Sequence, residues 1–70
     1  MLKTTYPEAP KGKRSARRNI YGNTNLYVGT KKFWELGCGA SAERDSELFV
    51  KGYSLESIHD GTAYEAEGII

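Results

Sequence analysis

Cys38 and His59 are the two residues of this sequence whose types could support nucleophilic catalysis. Cys38 lies between two glycines, which would let a substrate backbone approach closely, but a thiol needs a neighbouring base or cation to become a nucleophile. His59 is the one histidine in the chain, and nothing in the pattern places it beside Cys38. One cysteine and one histidine also form neither an internal disulfide nor a structural zinc site. We therefore expect no catalytic residues, no metal and no cofactor.

Carboxylates and glycines are frequent, but their spacing does not match a known catalytic or phosphate-binding pattern. Glu65 and Glu67 are two positions apart and would lie on different sides of a helix, and a chain of 70 residues rarely offers the cleft that separates two pKa values. The segment 29–31 lacks the earlier glycine of a phosphate-binding loop, and the segment 37–39 is not followed by the third glycine of a dinucleotide fingerprint. The acidic residues are interpreted as a solvated face, and the protein is not expected to be an enzyme.

The strongest chemical signal is a block of cations near the N-terminus. Residues 11–18 read KGKRSARR, with five like charges and no apolar periodicity. Such a block stays solvated until it meets an anion, and it binds phosphates through counterion release without a fixed geometry. The expected phosphate contacts are Lys11, Lys13, Arg14, Arg17 and Arg18.

The two halves of the chain carry opposite net charge. Residues 1–32 contain eight basic residues and one acidic residue, whereas residues 33–70 contain two basic and eight acidic residues, which leaves a total of +1. This asymmetry indicates a polyanionic partner or a basic tail. The alternative is that the two halves attract each other and only stabilise the fold, although exposed ion pairs contribute little individually.

The pattern of turns and alternation predicts a basic arm followed by one small α+β domain. Residues 1–18 form the arm, because Pro7 and Pro10 disfavour regular structure before a block of repelling charges. Residues 19–70 form the domain, with strands at Leu26–Val28, at 32–36 and at 47–51. A short helix over residues 31–36, capped by Thr30, is the alternative for the second of these strands.

Residues 54–67 are predicted to form one helix that packs on the sheet. Ser54 is a favourable N-cap, and Leu55, Ile58 and later apolar residues recur at helical spacing. The Asp60-Gly61 pair is the weak point of this helix, and the alternative is a short helix to residue 59 followed by a strand. The resulting fold class is α+β, with a small antiparallel sheet of about three strands packed on one C-terminal helix.

Strand alternation divides the apolar residues between two faces of the predicted sheet. The inward set is Leu26, Val28, Trp34, Leu36, Leu48 and Val50. The outward set is Tyr27, Phe33 and Phe49, beside Lys31 and Lys51. Three aromatic rings beside two lysines could stack on unpaired bases or contact a protein, unless the arm folds across and hides them.

These features favour a small accessory protein that binds nucleic acid, with RNA favoured over DNA, through the basic arm and the aromatic face. The alternative is a small protein-binding inhibitor or adaptor, for example a phage-type host-takeover protein, which docks on a larger nucleic-acid machine through its acidic half or its exposed aromatics. No apolar run is long enough to span a membrane, and the N-terminus does not read as a signal peptide. We therefore expect a cytoplasmic protein without a membrane partner.

Overall fold

Three short strands form an antiparallel sheet in the order β1-β2-β3 in the computed structural model, which describes residues 5–69. They are β1 (Arg14–Arg18), β2 (Thr24–Val28) and β3 (Lys31–Gly37). In β2 every second residue is buried, which is the pattern of a strand covered on one face. The turn between β2 and β3 is short, and Gly29 takes a positive φ of 65° there, a conformation that glycine adopts without steric cost.

Three helices follow the sheet and cover one of its faces. They are α1 (Ala40–Lys51), α2 (Leu55–Asp60) and α3 (Thr62–Ala66). The Ser54 hydroxyl accepts a hydrogen bond from the backbone N–H of Ser57 at 3.2 Å, so Ser54 caps α2 as predicted. The predicted α+β class, with three antiparallel strands and C-terminal helical structure, is confirmed, although the helical part consists of three helices rather than one.

The core lies between the sheet and the helices. Its members are Leu26 and Val28 of β2, Leu48 and Phe49 of α1, Leu55 and Ile58 of α2, and Ala63 of α3. Leu26 and Phe49 are fully buried. Trp34 and Leu36 are half-buried against this cluster, and Val50 is exposed, so the predicted inward set is wrong for Val50.

The strand predicted at residues 47–51 is wrong, because this segment is the last part of α1. Leu48 and Phe49 are neighbours in sequence and both are buried. Adjacent residues of a strand point to opposite faces, whereas adjacent residues of a helix can both reach the core. A short apolar run of this length does not by itself distinguish a strand from a segment of a buried helix.

The predicted arm differs from the structure at Arg14–Arg18, which form the edge strand β1. The first four residues of the predicted arm lie outside the described part of the chain. The predicted single helix over 54–67 is also wrong at one point, since it breaks at Gly61, where φ is 92°. The chain continues as the helix α3 after this break, so the predicted alternative of a strand after residue 59 is wrong as well.

Candidate nucleic-acid interface

Basic and acidic residues occupy different layers of the fold. Residues 5–37, which contain the sheet, hold seven basic and two acidic residues, a net charge of +5. Residues 38–69, which contain the helices, hold two basic and seven acidic residues, a net charge of −5. The charge asymmetry along the sequence therefore becomes an asymmetry between the sheet layer and the helical layer.

Three lysines lie at the end of the sheet where the β2–β3 turn is. The backbone N–H of Gly29 donates a hydrogen bond to the carbonyl oxygen of Lys13 at 2.8 Å, which holds the segment 11–13 against this turn. Gly12 packs so closely there that a Cβ atom on it would lie 3.0 Å from Val28 Cγ1. Lys31 begins β3 beside the same turn. Lys11, Lys13 and Lys31, here called the lysine cluster, are exposed.

None of the three lysines forms an ion pair with a carboxylate of residues 5–69. Their charges are therefore not neutralised within the described part of the protein. An arrangement of exposed cations around a turn can contact successive phosphates of a polyanion, and each contact releases condensed counterions.

The face of the sheet opposite the helices, here called the open face, carries one aromatic ring and several polar side chains. The strand register places Ser15 beside Tyr27, Arg17 beside Asn25, and Lys32 beside Tyr27. The guanidinium carbon of Arg17 lies 5.6 Å from the centre of the Tyr27 ring, within the range of a cation–π contact. The side-chain oxygen of Asn25 is buried and has no hydrogen-bond partner among the described residues.

The aromatic face predicted from sequence is wrong for Phe49 and Phe33. Phe49 is fully buried in the core, and Phe33 is half-buried with its ring stacked on Phe49 at 5.7 Å between centroids. Phe49 is buried because its segment is part of the helix α1. For Phe33 the cause is a bulge in β3: Leu26 pairs with Trp34 and Tyr27 pairs with Lys32, which leaves Phe33 as an extra residue. A bulge shifts the alternation of side chains, so only Tyr27 of the three rings remains on the open face.

Arg14 is engaged inside the protein rather than free for phosphate. Its Nη1 atom donates hydrogen bonds to the carbonyl oxygens of Phe49 at 3.1 Å and Tyr53 at 2.9 Å. Its guanidinium carbon also lies 4.6 Å from the centre of the Phe49 ring. These contacts give Arg14 a structural role at the end of α1.

Arg18 and Lys51 are likewise partnered by carboxylates of the helical layer. Arg18 forms an ion pair with Glu43, and Lys51 forms one with Glu67. Glu67 also accepts a hydrogen bond from the Tyr53 hydroxyl at 2.7 Å. The bonds from Lys51 and Tyr53 lower the pKa of Glu67, and the bond to Glu67 raises the pKa of Lys51.

Further carboxylates of the helices have partners within the chain. Asp45 accepts a hydrogen bond from the Tyr64 hydroxyl; burial and this bond raise the pKa of Tyr64 to about 12. Asp60 accepts a hydrogen bond from the backbone N–H of Thr62 at 2.9 Å. Several carboxylates of the helical layer therefore have partners within the described part of the protein, whereas the ammonium groups of the lysine cluster have no carboxylate partner there.

The other residues examined for chemistry lie apart from this surface. Cys38 is exposed in the segment after β3, and the His59 ring lies 5.4 Å from the Tyr6 ring, between centroids. Within residues 5–69 no three His, Cys, Asp or Glu side chains are grouped in a way that could hold a metal ion. None of the helices in that range has the length and apolar character needed to cross a membrane.

Comparison with known proteins finds no matching family model and no curated protein or solved structure with significant similarity to this chain. Function is therefore inferred from the charges, contacts and exposed groups described above.

Proposed function

We propose that this protein binds nucleic acid through its sheet layer, with phosphates at the lysine cluster and unpaired bases on the open face. The observation that carries this proposal is the contrast between the two charged layers. The lysine cluster has no carboxylate partner within residues 5–69, whereas several carboxylates of the helical layer are held by Arg18, Lys51, Tyr53 and Tyr64. The cations of the lysine cluster are thus available for an external partner.

The electrostatic component comes from Lys11, Lys13 and Lys31, with Arg17 on the adjoining open face. Lysine ammonium groups contact phosphates as mobile point charges and need no fixed geometry. Because the helical layer has a net charge of −5, it repels a polyanion and favours approach from the side of the sheet.

The base-binding component is Tyr27 with its neighbour Arg17. A ring on an open sheet face can stack on a base, and the Arg17 guanidinium, which lies over the Tyr27 ring, offers a planar surface of its own. Stacking of this kind requires an unpaired base, which favours single-stranded RNA over duplex DNA.

The test is the salt dependence of binding to a fluorescent single-stranded RNA, measured by anisotropy. A plot of log affinity against log salt has a slope of about −0.7 for each phosphate neutralised on a single strand. Replacing Lys11, Lys13 and Lys31 together by Gln should reduce the magnitude of that slope by about 2. Arg44→Gln is the matched control, because Arg44 is an exposed cation of the helical layer, and it should leave the slope unchanged.

Two results would overturn the proposal. One is the absence of RNA and DNA binding by the unmodified protein at ~50 mM salt. The other is a fall in slope per charge removed that is as large in Arg44→Gln as in the triple variant, since that would mean that only net charge, and no particular surface, is responsible.

A second candidate is docking of the acidic helices into a basic groove of another protein. It is favoured by the net charge of −5 on the helical layer. Glu47 and Glu65 are its best probes, because both are exposed and neither forms an ion pair within residues 5–69. Glu47→Lys with Glu65→Lys should weaken such docking most strongly at low salt, while binding to RNA should be retained or strengthened.

A further inference from the structure

The strand β1 is an edge strand whose outer backbone groups form no backbone hydrogen bond with residues 5–69. The hydrogen bonds from Gly29 N–H to Lys13 and from Asn19 N–H to Asn23 fix which residues of β1 bond to β2, because bonded and non-bonded pairs alternate in an antiparallel ladder. Residues 13, 15, 17 and 19 therefore direct their backbone groups toward β2. The N–H and C=O groups of Arg14, Ala16 and Arg18 point away from the sheet, and no backbone hydrogen bond within the described range reaches them from that side.

Helix α1 lies alongside this edge and leaves a groove between itself and β1. Arg18 contacts Glu43 in the first half of α1, and Arg14 contacts Phe49 near its end, so the helix follows the strand along its length. The groove has a volume of about 550 Å³. Ala16 of β1 and Val50 of α1 line it together with polar and charged residues, which are Arg14, Ser15, Ser46, Glu47 and Lys51. Val50 is 46% exposed, so the groove offers an apolar contact beside Ala16.

The two sides of this edge offer different chemistry to an added strand. On the groove side, the added strand would meet Ala16 and Val50. On the open face, β1 presents Lys13 and Arg17 beside the added strand, since these residues alternate along β1 with Ser15 on the same face. Opposite charges placed across neighbouring strands stabilise a sheet, and like charges destabilise it.

We propose that β1 binds an extended acidic segment of a partner polypeptide, which adds to the sheet as a fourth strand. Its backbone would bond to Arg14, Ala16 and Arg18, as in other cases of recognition by strand addition. Its side chains would alternate, with apolar residues in the groove and acidic residues near Lys13 and Arg17. This inference does not depend on the binding of nucleic acid.

A second copy of this chain is a poorer occupant of the same edge. Antiparallel pairing of two β1 strands about Ala16 would place Arg14 of each copy opposite Arg18 of the other. Both contacts bring like charges together across the new pair of strands. Basic residues on an edge strand generally oppose this kind of self-pairing.

The test uses a blocked peptide of about nine residues, the length of a long strand, in which Glu and Val alternate. Hydrogen exchange of the protein amides is measured by NMR with and without this peptide. We expect exchange at Arg14, Ala16 and Arg18 to slow by about tenfold or more, because these amides become hydrogen-bonded. The same peptide with Lys in place of Glu is the charge control and should give no protection.

Two variants locate the site. Val50→Glu introduces a charge into the groove at an exposed position, so it should abolish protection by the Glu–Val peptide and leave binding to RNA unchanged. Ala16→Pro removes the outward N–H without removing a bond to β2, as proline at the free side of an edge strand allows. Val50→Glu decides the question if the proline variant does not fold.

Three results would overturn the inference. The first is equal protection by the Lys–Val peptide, and the second is unchanged protection in Val50→Glu. The third is dimerisation of the protein without peptide, detected by sedimentation together with protection of the β1 amides, which would assign the edge to a second copy.

Discussion

Arg14 and Phe49 are joined twice, since the guanidinium lies over the Phe49 ring and also donates a hydrogen bond to the Phe49 carbonyl oxygen. The same guanidinium nitrogen bonds to the carbonyl oxygen of Tyr53. These contacts connect the edge strand to the end of α1 and to the segment after it; the Phe49 carbonyl oxygen also accepts a hydrogen bond from the Gly52 backbone N–H at 3.0 Å. A cation that resembles a phosphate ligand in the sequence thus completes the fold.

Replacing Arg14 by Met should destabilise the protein by about 2–3 kcal/mol, because hydrogen bonds from a charged donor to partly buried carbonyls are lost. Arg14→Lys should recover only part of this, since an ammonium group does not reproduce the guanidinium geometry. Arg17→Met is the matched control on the open face and should cost about 1 kcal/mol or less. Urea unfolding followed by circular dichroism measures all three. Equal losses for Arg14→Met and Arg17→Met would contradict the structural role of Arg14.

Phe49→Ala should cost about 3–5 kcal/mol, because it leaves a cavity at a fully buried position. Phe33→Ala should cost less, because Phe33 is only half-buried. Tyr27→Ala should cost least of the three and should instead weaken binding to single-stranded RNA. Unfolding midpoints and RNA affinities measured on the same preparations separate these effects. If Tyr27→Ala unfolded the protein and Phe49→Ala did not, Tyr27 would belong to the core and Phe49 to the open face, contrary to the structure.

Gly61→Ala should destabilise the protein by about 1–2 kcal/mol, because an alanine at the positive φ of this position is strained. In an uninterrupted helix the same substitution would instead stabilise by up to about 1 kcal/mol. The sign of the change in unfolding free energy therefore distinguishes the break between α2 and α3 from a continuous helix over 54–67.

Stability should fall as the pH rises from about 10 to 12, because the pKa of Tyr64 is raised from its ordinary value of 10.0 to about 12. The folded state holds this proton more tightly than the unfolded state, so the stabilisation is complete below the ordinary pKa and disappears above the raised one. Tyr64→Phe should make the fall shallower. Some of the fall should remain, since the hydrogen bond to Glu67 also raises the pKa of Tyr53. Tyr21→Phe, at a residue that is 80% exposed, is the control for an altered tyrosine count and should reproduce the unmodified profile.

The parts of the fold that sequence predicted are those with local signals. The hairpin of β2 and β3 follows from alternation on both sides of a glycine turn, and the start of α2 follows from the capping residue Ser54. Strand β1 has no such signal, because five like charges without apolar periodicity resemble a solvated segment. Its position depends on contacts of Arg14 with residues 35 and 39 positions away, which no local pattern reveals.

For the candidate site, the sequence predicted the positive charge but not the arrangement of the residues that carry it. The cations at positions 11, 13 and 31 were identified, but their position beside the same turn depends on the hydrogen bond between Lys13 and Gly29. The bulge in β3 reverses the face expected for Phe33, and a single inserted residue of this kind is not visible in an alternating pattern.

The opposite charges of the sheet and helical layers, +5 and −5, also determine how successive molecules of this protein would arrange on a nucleic acid. A molecule that binds with its sheet turns its acidic helices toward solvent, so the surface that it covers remains negative. A second molecule that approached with its own acidic helices toward those of the bound molecule would be repelled. Free phosphates would be accessible to it only beside the bound molecule. On the nucleic acid that we propose as the ligand, the layered charge would therefore orient each bound molecule with its sheet layer toward the phosphates.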